Sequence, residues 1–231
     1  MRLGIISDIH SNLQALRAVF VELREQKVEY ILCLGDIVGY GASPNKVVER
    51  LKKVKDRSVF IKGDHDEAVV KRKTSRLNKN ASKAVDWTVR NIKDENRGFL
   101  AEQEKYEALE IDDYRFFMVH GSPEDYLYDY ISKNTDSSKL DRFFEKTEAN
   151  VLLLGHTHMP FTQATDNGLI VNPGSVGQPR DNDRRASYAV LDMESREFEV
   201  RRVPYNVEKA AIEIERTKLP NRLGDRLRYG H

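Results

Sequence analysis

Cysteine, tryptophan and surplus charge are all scarce in this 231-residue chain. A single cysteine, Cys33, excludes an internal disulfide and agrees with a reducing cytoplasm. It sits in the apolar run Tyr30-Ile31-Leu32-Cys33-Leu34, where a thiol packs as a small hydrophobe and is a poor candidate for nucleophile or ligand. Charged residues make up 32% of the chain yet leave a formal net charge of only +1, so overall charge gives no case for a nucleic-acid or membrane partner. No apolar stretch approaches the length of a membrane span, and Met1 is followed almost at once by a strand-like run with no basic segment and cleavable apolar core. The expectation is a soluble, unsecreted, cytoplasmic protein. Internal repeats, low-complexity tracts and linker-like segments are also absent, and the length fits one domain over residues 1–231. Nothing in the sequence fixes an oligomeric state.

What is present is a series of short apolar runs that end in residues able to bind metal. The first, Arg2 to Ile6, ends in Ser7-Asp8-Ile9-His10. In extended backbone residues two apart face the same side, so Asp8 and His10 are expected to grip one cation together. Each alone has a plainer reading, a helix cap for Asp8 and a surface imidazole for His10. The second run, Tyr30 to Leu34, ends at Gly35-Asp36, and the third, Ser58 to Lys62, at Gly63-Asp64-His65-Asp66. Tyr114 to Val119 ends at His120-Gly121, and Val151 to Leu154 at Gly155-His156-Thr157-His158. The glycines after Leu34 follow G-x-x-x-G-x-G, which is not the dinucleotide-binding fingerprint.

Helical periodicity separates these runs. Leu13, Leu16, Phe20 and Leu23 lie on one face behind a Ser11 or Asn12 cap, and Ser43-Pro44 opens a helix carrying Val47, Val48 and Leu51. Residues from Glu67 to about Tyr106 read as a helical insertion, with Ala81, Ala84, Val85, Thr88, Val89 and Ile92 on its apolar face and Trp87 packing nearby. Its basic cluster, Lys71, Arg72, Lys73, Arg76 and Lys79, reads as a solvated face. Tyr126, Tyr128 and Tyr130 either line a pocket or pack. A helix over Ser137 to Glu145, a turn at Asn172-Pro173-Gly174-Ser175, antiparallel strands over Ser187 to Met193 and Phe198 to Val203, and a helix capped by Asn206 follow. The arginine-rich tail from Leu219 to His231 shows no periodicity and is expected to be loosely held.

Strands alternating with helices define an α/β fold, and open α/β sheets place ligand sites at the carboxyl ends of their strands. Five of the six histidines lie at such ends, only His231 elsewhere. Four imidazoles and three carboxylates exceed the needs of one tetrahedral ion, whereas two adjacent ions sharing a carboxylate would use them all and would suit displacement at phosphorus.

The ordered set D-x-H, G-D-x-x, G-N-H-[DE] with Asp64 in the Asn position, a lone H-G and G-H-x-H resembles the calcineurin-like metallophosphoesterase superfamily, from Leu3 to about Met193. Gly155 to Pro160 and Val171 to Arg180 are similar to the small phosphodiesterase-like branch of bacteria and archaea. The resemblance implies a four-layer αββα sandwich with the metal site at the strand carboxyl ends. It further implies one divalent ion on Asp8, His10 and His158, a second on Asp64, His120 and His156, and Asp36 bridging them, with Mn²⁺, Fe, Ni²⁺ or Zn²⁺ as the metals. His65 would contact a phosphate oxygen or protonate the leaving group, with Asp66 orienting it, and the nucleophile would be a metal-bridging hydroxide. Two departures stand out. Asp64 occupies a position that is usually Asn, and the Asp-Arg-Gly of protein phosphatases is replaced by Gly39-Tyr40-Gly41, which argues against a phosphoprotein substrate. Arg180 is a candidate replacement for the missing arginine. The reading is two-metal hydrolysis of a small phosphodiester or nucleotide. A nuclease, for which the cluster Lys71 to Lys79 is the only hint, and a non-catalytic metal-binding module on the same fold are the rivals.

Overall fold

The computed structural model describes residues 1–231. In chain order the elements are β1 (Arg2–Ile6), α1 (Leu13–Glu25), β2 (Tyr30–Cys33), α2 (Pro44–Lys52), β3 (Ser58–Phe60), α3 (Asp64–Lys71), α4 (Lys79–Asn91), α5 (Asp94–Glu102), β4 (Tyr106–Ile111), β5 (Tyr114–Val119), α6 (Ser137–Thr147), β6 (Val151–Leu153), β7 (Phe161–Thr165), β8 (Gly168–Asn172), β9 (Ala186–Asp192), β10 (Glu197–Val203), α7 (Val207–Glu215) and α8 (Arg222–Tyr229). They form two five-stranded sheets, ordered β10-β9-β1-β2-β3 and β4-β5-β6-β8-β7. Strands β1, β2 and β3 are parallel in the first sheet and β5, β6 and β8 in the second.

Period-two alternation along the strands builds the layers. Leu3, Ile5, Leu32, Ala189 and Leu191 from one sheet meet Phe116, Met118, Val151, Leu153 and Val171 from the other in a core between the sheets. On the opposite faces, Ile6, Ile31, Cys33 and Tyr188 pack under α1 and α2, while Phe117, Val119, Leu152 and Ile170 pack under Leu140, Phe143 and Phe144 of α6. The result is the αββα sandwich. Cys33 is fully buried and its thiol is pushed up by that burial, so it is inert packing.

Two segments differ from the sequence reading. The stretch from Glu67 to Tyr106 holds three helices, broken where Arg72 adopts a left-handed conformation (φ 54°) and restarted where the Asn78 side chain accepts from the Asn80 and Ala81 amides. Tyr106 then begins strand β4, whose half-exposed Glu107 and exposed Glu110 disguise the alternation. The tail is not loose: Leu219, Leu223 and Leu227 recur every four residues and bury against Ala210 and Ile214 of α7. Arg222, Arg226 and Arg228 around them masked that spacing, and Arg228 pairs with Glu208 and Glu215.

Candidate metal centre

All the parallel strands of both sheets deliver their carboxyl ends to one place. The chain does not arrive there extended: Asp8 (φ 53°), His10 (φ 47°), Asp36 (φ 51°), His156 (φ 65°) and His158 (φ 61°) are all left-handed. Tight turns, rather than strand alternation, aim the Asp8/His10 and His156/His158 pairs. Such backbone costs about 1–2 kcal/mol per residue and persists only where the surroundings enforce it. The enforcement is visible. Amides of Asp8 and His10 donate to the carbonyls of Gly35 and Asp36 at 3.0 and 2.9 Å, the Gly177 amide donates to the Asp8 carbonyl at 2.9 Å, and Ser175 Oγ donates to the same carbonyl at 2.7 Å.

Asp66 is a further fastener, not the partner of His65. Its carboxylate accepts from the amides of Ile37, Val38 and Gly63 at 3.1, 3.0 and 3.1 Å, tying the loop after β2 to the start of α3. Burial raises its pKa to about 6 although three donors favour the anion. Asp66→Ala leaves three buried N–H groups unpaired at about 1–3 kcal/mol each, so a melting experiment should show a drop of at least about 6 °C, with Asp66→Asn falling less because it keeps one acceptor. An unchanged melting temperature for Asp66→Ala would refute the fastener role. Close approach also dictates Gly63, where a Cβ would overlap the Asp36 carboxylate.

The ligand-type side chains fall into two inward-facing sets. Asp8, His10 and His158 form one: His158 Nε2 lies 3.2 Å from Asp8 Oδ1 and 3.1 Å from His10 Nε2. Asp36, Asp64, His120 and His156 form the other, with Asp64 Oδ1 3.4 Å from His120 Nε2 and 3.2 Å from His156 Nδ1. Asp36 Oδ2 stands between them, 3.4 Å from His10 Nε2 and 3.5 Å from His120 Nε2. Nδ1 of His10, His120 and His158 faces the carbonyls of Val38, Leu34 and Gln178 at 3.2, 2.7 and 2.5 Å. A carbonyl only accepts, so each Nδ1 carries a proton and each Nε2 is turned into the site, as a lone pair wherever the ring is neutral. Two such lone pairs 3.1 Å apart, on His10 and His158, repel unless a cation lies between them.

Electrostatics agree with a cation site. All three carboxylates are buried, and the only positive partners within ion-pair distance are imidazoles. Burial raises Asp8, and burial together with the Asp64 charge holds Asp36 well above the usual carboxylate range. Burial opposes the Asp64 anion, but the adjacent His120 and His156 imidazoles outweigh it and hold the group well below. Conversely, burial opposes protonation of His120, yet the Asp36, Asp64 and Asp8 carboxylates hold it well above its ordinary value. Burial, with the charges around them, pushes His10 and His158 well down, leaving neutral imidazoles ready to ligate. Both oxygens of Asp8, Asp64 Oδ1, His120 Nε2 and His156 Nε2 are buried without a hydrogen-bond partner, the signature of donors shaped for a metal.

Around this centre, His65 is 3% exposed, its ring 4.4 Å from that of Tyr40 and 4.9 Å from that of His10, with its own amide donating to Asp36 Oδ1 at 2.9 Å. Burial lowers its pKa to about 4. Gly39, at φ 95°, leaves room for it, since a Cβ there would run into His65 Nδ1. Arg180 is half-buried, its guanidinium 5.9 Å from the Tyr40 ring centroid, its Nη2 donating to Gln178 and its Nε unpartnered. Its charge acts on Asp8, His10, His65 and His158. Of the three loop tyrosines, Tyr130 lies against His156 with ring centroids 4.1 Å apart, Tyr126 packs on Tyr106, and Tyr128 lies under Arg76. The place of Tyr130 in the site, like that of Tyr40, left no mark in the sequence beyond an aromatic in a loop.

A fold of two such sheets with this cluster at their strand ends is that of a metal-dependent phosphoesterase, and the chain belongs to the calcineurin-like phosphoesterase superfamily: a profile of that superfamily's domain matches residues 1–196. A metallophosphoesterase from Sphaerobacter thermophilus is similar throughout, at 31% identity and a TM-score of 0.84, with 100% of this chain and 99% of that one covered. An uncharacterized protein of Methanocaldococcus jannaschii is 35% identical over 99% of this chain and 98% of its own length. The phosphodiesterase YfcE of Escherichia coli is 24% identical over 83% of this chain and 88% of its own length.

Proposed function

We propose that this protein hydrolyses a small phosphodiester or nucleotide, using two divalent ions held by Asp8, His10 and His158 on one side and Asp64, His120 and His156 on the other, with Asp36 shared. The observation that carries this reading is the pair of donor sets meeting at Asp36 Oδ2, with buried lone pairs directed inward. When bound, Mn²⁺, Fe, Ni²⁺ or Zn²⁺ ions supply Lewis-acid charge to the phosphoryl group and lower the pKa of water. The chain supplies the rest. Backbone carbonyls fix the imidazole tautomers, Arg180 offers a guanidinium to a phosphate oxygen, and buried walls around His65 and Tyr40 exclude bulk water.

His65, neutral near pH 7 because burial holds it at about 4, is suited to donating a hydrogen bond to a phosphoryl oxygen rather than a full proton to the leaving group. His65→Ala should keep both ions and lower kcat by about 10²-fold, similarly for activated aryl esters and for unactivated nucleotide diesters. A loss concentrated on the poor leaving group would instead make His65 the general acid.

The reading as a whole is tested by elemental analysis and a screen of mono- and diesters. Two ions per chain are expected at saturation, with hydrolysis of bis-p-nitrophenyl phosphate abolished by chelation and restored by Mn²⁺. At most one ion per chain, or no turnover of any ester with any of the four metals, would overturn it.

A further inference from the structure

A cleft of about 330 Å³ lies beside α3, lined by Glu67, Lys71, Lys73, Arg76, Lys105 and Tyr128 among others. Four of these six are cations. The one carboxylate, Glu67, has a side chain only 8% exposed and is shared by Lys71 at 2.6 Å, Lys105 at 3.4 Å and Lys62 at 3.8 Å. Burial disfavours its anion, yet these ammonium groups hold its pKa below the usual value. One carboxylate among three ammonium groups leaves positive charge over, and Lys73 adds to it without a carboxylate partner of its own. Arg76 is held in place, its guanidinium 3.5 Å from the Tyr128 ring centroid and 3.2 Å from Asp125. A merely solvated basic face would spread such groups over convex surface; here they converge on a hollow.

The cleft and the metal centre are built on the same helix and the same loop. Helix α3 begins at Asp64, and Ala68 and Lys71, four and seven residues on, follow it along one face of the helix into the cleft. The axial rise places them roughly 6 and 10 Å from Asp64. The loop that supplies Tyr128 to the cleft also supplies Tyr130, which lies against His156. Lysine is a point-charge binder of phosphate, and this separation matches two phosphates of one molecule with a sugar between them.

We propose that this cleft receives a second phosphate group of the substrate, so that the substrate class is a phosphodiester that also carries a terminal phosphate, such as a 5′-phosphorylated dinucleotide. The assignment rests on the phosphodiester reading above. In the metal-loaded protein, KM for the 5′-phosphorylated thymidine dinucleotide should be about tenfold below that for the same dinucleotide lacking the 5′-phosphate, the size of one charge-assisted contact. In the Lys73→Ala/Lys105→Ala double variant, in which Lys73 is exposed, Lys105 is partly exposed and Glu67 keeps Lys71 and Lys62, that ratio should collapse to near one while the melting temperature changes little. A ratio of one in the unmodified protein, or a tenfold ratio surviving in the variant, overturns the proposal. The same ratio is read without turnover from calorimetric Kd values for phosphorothioate-linked versions of the two dinucleotides. A protein that hydrolyses neither dinucleotide leaves the hydrolytic reading to the ester screen above, while the Kd ratio still decides the cleft.

Discussion

Asp36→Asn is expected to cut turnover by about three orders of magnitude while leaving the metal-free protein more heat-stable than the unmodified one. Asp36 Oδ1 accepts from the His65 amide at 2.9 Å, and an asparagine carbonyl can take over that bond. The amide NH₂ then replaces Oδ2, between His10 Nε2 at 3.4 Å and His120 Nε2 at 3.5 Å, and donates into the lone pairs that would otherwise hold cations. Both donor sets lose a shared carboxylate and gain a competitor. Metal content should fall below two per chain, and kcat/KM should drop by about 10³-fold, the upper end of what one electrostatic group contributes. The stability gain has a separate cause. Burial and the neighbouring Asp64 charge hold Asp36 well above the usual carboxylate range, so its anion is disfavoured in the folded state and an uncharged amide relieves that penalty. Melting in the presence of a chelator checks the second half; elemental analysis and diester turnover check the first. Two tightly held ions with normal turnover in the variant would show that Asp36 is not shared between them.

Asp64→Asn should move activity in the opposite direction. Three buried carboxylates face the proposed ion pair, so the positive charge left to attract an anionic substrate and acidify the attacking water is one unit lower than with asparagine at this position. An asparagine also brings an N–H₂ that can donate to a phosphate oxygen, where the carboxylate repels it. The expected result is a higher kcat/KM for phosphodiesters, by about tenfold if it recovers one charge-assisted contact, and a pH optimum shifted downward. The adjacent His120 and His156 imidazoles hold Asp64 ionised against its burial, so losing its charge should also weaken the second ion. Parallel pH–rate profiles and metal titrations of the two proteins decide the matter. Lower activity in the variant at saturating metal and every pH would mean that Asp64 suits this site to its own metal or substrate.

The ingredients of the site were legible because they are local: an apolar run that ends in Asp8, Asp36, Asp64, His120 or His156 can be read without knowing where the run goes. Short apolar runs likewise announced the strands that became the inter-sheet core, Leu3 and Ile5 facing Phe116 and Met118. Where local pattern was diluted, reading failed. The Leu219, Leu223 and Leu227 stripe was hidden among arginines, and β4 behind its glutamates.

What only the tertiary structure decided is how those ingredients are grouped and aimed. His10 and His158, 148 positions apart in the chain, bring Nε2 to Nε2 at 3.1 Å, and Ser175 steadies the Asp8 carbonyl from 167 positions away. The proton positions of His10, His120 and His158 are set by the Val38, Leu34 and Gln178 carbonyls, and a backbone carbonyl has no residue type by which a sequence could mark it. Left-handed turns, not strand alternation, point the paired ligands inward, and Asp66 serves the backbone instead of His65. Side-chain chemistry is a property of each residue and survives in one dimension. Backbone strain, tautomer and pKa are set by neighbours from distant loops, and exist only once both sheets have closed around the site.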